Sequence, residues 1–139
     1  MKRRKGREYA FQFLFQFDFT GRQPDRKDFE DFWADKEVDS GGKEFTEDIV
    51  LGTIGKIAEI DAAIQAAAEH WVLQRMAAVD RNILRAATYE LLHRKDIPSA
   101  VTINEAIEIA KRYSSLESAS FINGILDTIA KGIEGKRAR

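Results

Sequence analysis

The spacing of apolar residues along this chain predicts helices almost throughout. From about Val79 to Arg94, for example, the apolar residues recur three and four positions apart, which places them on one face of a helix. Only two prolines occur, and no run of alternating residues has a plausible partner strand. We therefore predict an all-α fold, and a single domain over residues 1–139 because so short a chain forms one hydrophobic core.

The segment from Tyr9 to Phe19 is the one place where the pattern is ambiguous. Its aromatic residues alternate with other residues at period two, as in a strand, but a lone strand would leave its edges unpaired. A helix is therefore predicted, with Phe13 on the core face and Phe15 turned away from it. We expect Phe15, with Phe11 and Phe19 as further candidates, to be left for a partner. A second helix that covers this side is the alternative.

The remaining helices are predicted from capping residues and helix breakers. A short helix that carries Phe29, Phe32 and Trp33 within residues 20–45 is expected to form a packed lid. Helical spacing then extends from about Thr46 to His70, with a break near Asp61 as an N-cap.

Two more helices are predicted after Pro98. Thr102 and Glu105 have the spacing of a capping box that would open a helix to about Tyr113. Ser118 is expected to cap the last helix, and the unusual Gly124 inside it predicts a close helix crossing.

The charged residues are divided unevenly between the ends and the body of the chain. The net charge is -1, yet the ends are strongly basic, at Lys2, Arg3, Arg4, Lys5 and Arg7 and again at Lys136, Arg137 and Arg139. An acidic body with basic ends favours one defined binding site for a polyanion such as nucleic acid. A disordered solubilising tail is the alternative. We divide the chain into a basic arm (2–7), N-terminal helices (8–70), C-terminal helices (71–133) and a basic tail (134–139).

Composition excludes several classes of protein. No cysteine is present, so neither disulfides nor thiolate metal sites can form, and a reducing cytoplasm is the expected compartment. No stretch is long and apolar enough to span a membrane. His70 and His93 have no companion that would suggest a metal, and Glu105 with Glu108 is better explained as a solvated helix face than as a catalytic pair. We predict a protein that is not an enzyme and needs no cofactor.

Several blocks of sequence resemble the NusB family of bacterial transcription antitermination factors. In order along the chain they are Arg7-Glu8 with Ala10, Leu14, Phe15 and Asp18, then Val79–Leu92 (VDRNILRAATYELL), Asp96-Ile97-Pro98, Ile103–Lys111 (INEAIEIAK) and Phe121–Asp127 (FINGILD). The similarity covers roughly residues 3–19 and 71–133. It implies a compact bundle of about seven helices in two helical subdomains.

The resemblance also implies a function. NusB-like proteins pair with the ribosomal protein NusE, and together they bind the single-stranded boxA element of nascent RNA. The complex joins RNA polymerase with other Nus factors and suppresses premature termination, notably in ribosomal RNA operons. A helical homodimerisation module with its RNA surface masked is the alternative. An accessory domain of an RNA methyltransferase is not expected, because a chain of this length leaves no room for a catalytic domain.

Site residues follow from the resemblance, position by position. Those that match RNA contacts are Arg3, Arg4, Lys5 and Arg7 in the arginine-rich arm, with Glu117 and the aromatic Phe121 further on. Those that match the contact with NusE are Phe15 and Asp80. Phe121 also fits the apolar stripe of the last helix, so a core position is the alternative. Arg81 and Arg85 could extend a basic strip or be ion-paired, and Gly6 leaves open whether the arm is helical before RNA binds.

Overall fold

The structure is a computed structural model that describes residues 3–18 and 20–137, with side chains as far as residue 135. This part of the chain folds into seven helices, α1 (Arg3–Asp18), α2 (Arg26–Trp33), α3 (Ser40–Gly55), α4 (Ile57–Ala67), α5 (Ala78–His93), α6 (Ser99–Tyr113) and α7 (Leu116–Arg137). A short 3-10 turn at Leu73–Arg75 joins α4 to α5. The predicted all-α fold of about seven helices is confirmed. Predictions for Lys2, Phe19 and the side chains of the basic tail lie outside the described residues.

The aromatic residues of α1 are buried on two sides of the helix. Phe13 stacks on Phe29 at 4.5 Å between ring centroids, so α2 covers one side of α1 as the predicted lid. Phe11 is only 4% exposed and meets the Tyr113 ring of α6 edge to face at 5.0 Å. The expectation that Phe11 is left for a partner is therefore wrong, because a second helix covers it. Phe15 remains 37% exposed, as predicted.

The boundaries of α3 and α4 differ from the prediction. Helix α3 begins at Ser40 and includes two glycines, because the Asp39 side chain caps it by accepting a hydrogen bond from the Gly42 amide at 2.7 Å. The break falls at Lys56 and not near Asp61, which lies inside α4. Asp61 instead accepts two hydrogen bonds from Arg85, at 2.8 and 2.9 Å.

Helix α5 is the central element of the fold. It contacts α1, α3, α4, α6 and α7, and its predicted core residues Ile83, Leu84, Ala87 and Leu91 are all buried. Most of its polar residues are buried as well, and several of them, such as Asp80 and Glu90, accept hydrogen bonds from neighbouring helices.

The predicted caps of α6 and α7 are wrong. Helix α6 begins at Ser99, directly after Pro98, so Thr102 lies in its second turn and is buried. Its hydroxyl donates to Glu90 at 3.1 Å, which excludes the predicted capping box. At the start of α7 the Ser115 hydroxyl, and not that of Ser118, accepts from the backbone, with a distance of 3.0 Å to the Ser118 amide nitrogen.

A close helix crossing occurs at Gly52 and not at Gly124. A Cβ atom at Gly52 would overlap the ring of Tyr89 on α5, whereas one at Gly124 would meet nothing within 4 Å. The prediction for Gly124 is therefore wrong, and the glycine that packing requires is in α3.

Candidate nucleic-acid interface

The first turns of α1 present three exposed basic residues, Arg3, Arg4 and Lys5. The helix continues through Gly6, whose carbonyl oxygen accepts a hydrogen bond from the Thr46 hydroxyl of α3 at 3.2 Å. This contact, together with the ion pair between Arg7 and Glu90, holds the start of α1 against the body of the protein. The arm from Arg3 onward is helical in this structure, Gly6 included.

Arg7 has a different position from the other basic residues of the arm. Its side chain is 7% exposed and donates three hydrogen bonds of 2.8 to 3.1 Å to the Glu90 carboxylate, which is 2% exposed. The guanidinium is therefore mainly bonded to Glu90, although the residue also contributes to the lining of a cleft at the start of α1. Arg7 anchors the arm to α5 in this structure, and its contact with RNA stays a prediction.

Two of the exposed basic residues, Arg3 and Arg4, line a cleft at the start of α1. This cleft, of about 480 Å³, is also lined by Asp96 and Val101, among others. Arg4 donates to the Glu105 carboxylate at 2.6 and 3.1 Å, and this bond holds the pKa of Glu105 below its usual value. Because the Arg4 side chain is 52% exposed, the ion pair is screened by water and can exchange for a phosphate at little cost.

Phe121 lies at the other end of α6, half-buried at the start of α7. Its ring packs against the core and meets the ring of Trp71 edge to face, with 5.1 Å between centroids. Both rings line a second cleft of about 360 Å³ with Glu117, which is exposed. One side of the Phe121 ring packs on the core and another lines the cleft, and its contact with RNA stays a prediction.

Asp80 connects the start of α5 to the turn between α6 and α7. Only 7% of the residue is exposed, and its two carboxylate oxygens accept from the hydroxyls of Ser114 and Ser118, each at 2.7 Å. These contacts give Asp80 a structural role, and its contact with NusE stays a prediction. They also fix Ser118 and the neighbouring Glu117 at the wall of the cleft.

Helix α6 joins the basic arm to the Phe121 cleft. Arg4 contacts Glu105, and Ser114, nine residues further on, contacts Asp80 beside the cleft. Nine helical residues span about 14 Å, so the two groups are separated and not adjacent. Between them, Arg112 is 63% exposed at its side chain and donates to the buried Glu8 of α1 at 3.0 Å. Sequence reasoning missed Arg112, although a basic pair at the end of a predicted helix was visible.

Phe15 lies on the same side of α1 as Arg4, Glu8 and Phe11, since these residues are spaced by three or four positions. It is the exposed member of this stripe beyond the region that α6 covers. The exposure predicted from the helical wheel is confirmed, and its contact with NusE stays a prediction.

Arg81 and Arg85 are ion-paired and do not extend the basic surface. Arg81 bonds to Asp18, and Arg85 bonds to Asp18 at 2.6 Å and to Asp61 at 2.8 Å. Burial alone would raise the pKa of Asp18, but the hydrogen bonds from both arginines lower it below its usual value. Asp18 therefore links the last turn of α1 to α5, a role that the sequence did not indicate.

Within residues 3–18 and 20–137, no three His, Asp or Glu side chains come close enough together to bind a metal ion. None of the helices in this part of the chain combines the length and the apolar character needed to cross a bilayer.

The fold and this surface define an all-helical binding protein with exposed cations at one end of α6 and an aromatic cleft at the other. The model of the NusB family matches residues 4–131. The chain therefore belongs to the NusB family of transcription antitermination factors, and the predictions of an antitermination factor and of a protein that is not an enzyme are confirmed.

Relatives support this assignment over nearly the whole chain. The transcription antitermination protein NusB of Desulfitobacterium hafniense is 51% identical over 137 residues, which is 98% of this chain and 93% of that protein. That of Thermodesulfovibrio yellowstonii is 48% identical, over 94% of this chain and 93% of that protein.

Two solved structures are similar in fold. NusB of T. maritima superposes with a TM-score of 0.85 at 45% identity, covering 94% of this chain and 92% of that one. A crystal structure of the antitermination factors NusB and NusE in complex with double-stranded RNA contains a chain with a TM-score of 0.82 at 27% identity, covering 95% of this chain and 99% of that one.

Proposed function

We propose that this chain binds the single-stranded boxA element of nascent RNA together with the ribosomal protein NusE. The complex then joins the antitermination complex of RNA polymerase and supports transcription of ribosomal RNA in the cytoplasm. One observation carries the proposal: Arg3, Arg4 and Lys5 are exposed on the first helix of a protein whose relative was crystallised with NusE and RNA. Exposed cations bind the phosphate backbone with release of counterions.

Unpaired RNA fits this surface better than a duplex does. The relative's complex contains double-stranded RNA, whose stacked bases leave mainly phosphates and 2′-hydroxyls for a protein to contact. Phe121 and the cleft beside it would then have no base to bind. A single strand offers both phosphates for the arm and unstacked bases for the aromatic cleft.

We assign the NusE contact to the face of α1 that carries Glu8, Phe11 and Phe15, at its exposed end. Phe15 provides an exposed ring at that end, and aromatic rings contribute much of the binding energy of many interfaces. Asp80 supports the same region from inside by fixing the turn between α6 and α7.

A titration of boxA-type RNA tests the proposal. We expect the triple variant with Arg3, Arg4 and Lys5 changed to alanine to bind the single strand much more weakly, in the presence or absence of purified NusE. Each lost phosphate contact lowers the slope of log K against log salt by about 0.7, so the slope should fall by about 2. Arg7 is left in place because its loss would destabilise the fold.

A charge-matched control separates a local contact from a general effect of net charge. Changing Arg26, Lys27 and Lys56 to alanine removes the same number of charges from exposed positions outside the arm. The control should bind RNA like the unaltered chain, and the same RNA as a duplex should bind more weakly than the single strand. Equal affinity of both triple variants would contradict the proposal. Light scattering that showed a dimer unable to bind RNA would favour the homodimerisation module.

A further inference from the structure

Arg112 is an exposed cation whose bidentate hydrogen-bonding edge has no partner among the described residues. It lies near the end of α6, and its side chain is 63% exposed. One terminal nitrogen, Nη1, donates to Glu8 of α1, whereas Nε and Nη2 make no hydrogen bond with the described part of the chain. These two nitrogens form the edge of a guanidinium that binds a carboxylate or a phosphate through two parallel hydrogen bonds.

Other arginines of this chain use the same edge within the fold. Their Nε and Nη2 atoms together bind one carboxylate, which is that of Glu105 for Arg4, Glu90 for Arg7, Asp61 for Arg85 and Asp96 for Arg94. Arg112 is paired differently from these four, because Glu8 occupies only the remaining nitrogen. The ion pair with Glu8 therefore holds the guanidinium without using its capacity for a second anion.

Glu8 fixes the position of the Arg112 guanidinium from inside the protein. Its side chain is only 3% exposed, and it also accepts from the Tyr113 hydroxyl at 3.1 Å and from Lys5 at 3.5 Å. The guanidinium carbon of Arg112 lies 5.2 Å from the centre of the Tyr113 ring, a second contact that limits its movement. A cation held in this way loses less side-chain entropy when it binds an anion.

The charges around Glu8 favour an anion as the ligand. Lys5 and Arg112 contribute two positive charges and Glu8 contributes one negative charge, so the three groups together carry a net charge of +1. Both cations are exposed, while the carboxylate between them is buried. An approaching molecule therefore meets the positive groups first, and these attract a phosphate.

Arg112 also lies where a strand that reached both parts of the proposed RNA surface would cross the protein. It follows Glu105, which pairs with the basic arm, by seven residues, so it lies about 10 Å further along the same face of α6. Two residues later, Ser114 bonds to Asp80 beside the aromatic cleft. Arg112 is therefore held between the arm and the cleft, in an interval to which the proposed function assigns no contact.

We propose that the Nε–Nη2 edge of Arg112 binds a phosphate of the RNA between the arm and the aromatic cleft, while Glu8 holds the remaining nitrogen in place. The inference rests on the proposed RNA binding and deepens it by assigning a bidentate phosphate contact that positions the strand without reading its sequence. An acidic side chain of a protein would suit the same edge. The exposed Arg4 and Lys5 nearby extend the positive surface, however, and such a run of cations matches a chain of phosphates better than a single carboxylate.

RNA titrations of matched variants provide the first test. In the presence of NusE, Arg112→Ala should weaken the binding of boxA-type RNA about tenfold and lower the slope of log K against log salt by about 0.7, as expected for one lost phosphate contact. Lys111→Ala is the matched control, because it removes an equal charge from the neighbouring residue, which is exposed and pairs with Glu108 at 3.2 Å. A helix turns by about 100° per residue, so Lys111 points away from Glu8, and its loss should change neither quantity.

Arg112→Lys separates the charge of the residue from its bidentate edge. Lysine keeps the charge but has no fork of parallel donors, so this variant should restore the salt slope and only part of the affinity. Glu8 keeps its contacts with Tyr113 and Lys5 in both variants of Arg112, and circular dichroism should show that both stay folded. Full recovery of affinity in Arg112→Lys would show that a point charge suffices, and would overturn the bidentate contact.

A series of RNAs with one uncharged methylphosphonate linkage at successive positions provides the second test. At one position the loss of the phosphate charge and the change Arg112→Ala should not be additive in their effects on affinity, whereas Lys111→Ala should be additive at every position. If every position is additive with Arg112→Ala as well, no phosphate contacts this residue and the inference is wrong.

The remaining outcomes distinguish this contact from the proposed function and from other uses of the same residue. If Arg112→Ala binds RNA as well as Lys111→Ala does, while the triple variant of the arm binds weakly, the inference fails and the proposed function stands. If Arg112→Ala weakens association with NusE in the absence of RNA and leaves RNA binding unchanged, the residue is a protein contact instead and the inference is wrong. If the unaltered chain with NusE binds no RNA, this inference and the proposed function fail together.

Discussion

The buried ion pair between Arg7 and Glu90 allows a quantitative prediction of stability. Both side chains are almost completely buried, and Glu90 also accepts from Thr102. Replacing Glu90 with alanine leaves the Arg7 charge buried without a partner, which typically costs about 3–5 kcal/mol. The Thr102 hydroxyl also loses its acceptor, at about 1 kcal/mol. We expect the free energy of unfolding to fall by about 4–6 kcal/mol in total.

A loss of this size is a large part of the stability of a small protein. Domains of this kind unfold with about 5–15 kcal/mol, and each kcal/mol corresponds to about 4 °C in Tm at this length. Glu90→Ala should therefore lower Tm by roughly 20 °C. The measurement is urea unfolding followed by circular dichroism at pH 7, with an unchanged m-value as the sign that both states keep their compactness.

A double variant separates the unpaired charge from lost packing. Arg7→Met with Glu90→Leu removes both charges and keeps most of the buried volume, so it should recover most of the lost stability. If the double variant were as unstable as Glu90→Ala, packing and not charge would explain the loss. A loss below about 1 kcal/mol for Glu90→Ala would show that Arg7 is hydrated in solution, and the reasoning would fail.

Three further predictions follow from other contacts. Asp18→Asn should destabilise the protein by about 3 kcal/mol near neutral pH. Because the pKa of Asp18 is lowered in the folded protein, the difference in stability between the unaltered chain and the variant should persist above about pH 4 and vanish as the pH falls through that lowered pKa. Unfolding curves measured from about pH 7 to 2 test this. Gly52→Ala should cost about 1–3 kcal/mol through overlap with Tyr89, whereas Gly124→Ala, with open space around it, should gain up to about 1 kcal/mol in thermal melts. Phe15→Asp should abolish pull-down of NusE while circular dichroism stays unchanged, and an unfolded variant would instead make Phe15 a core residue.

The sequence predicted the helices well because apolar spacing is a local property. The core face of α5 and the exposure of Phe15 both followed from positions on a helical wheel. The aromatic alternation in α1 was resolved correctly in favour of a helix, but the helix that covers Phe11 could not be identified, since α6 lies about a hundred positions away in the chain.

The errors at helix starts have a common physical cause. Thr102 and Ser118 are good capping residues by type, yet each hydroxyl bonds to a buried carboxylate on α5, at Glu90 or Asp80. Tertiary partners of this kind compete with local capping and are invisible in a local pattern.

Burial of single charged residues was the least predictable part of the candidate site. Arg3, Arg4, Lys5 and Arg7 are alike in sequence, and only the structure separates the buried one from the three exposed ones. The same is true of Trp71, whose proximity to Phe121 depends on how the 3-10 turn packs against α7.

The two ends of α1 are bonded to α5 through residues that are eleven positions apart. Eleven residues make almost three whole turns, so Arg7 and Asp18 point in nearly the same direction, toward Glu90 at one end of α5 and Arg81 at the other. An insertion or deletion of one residue between them would rotate one end by about 100° and separate one of the pairs. The length of this segment is consequently fixed, and homologues should vary in length only outside it.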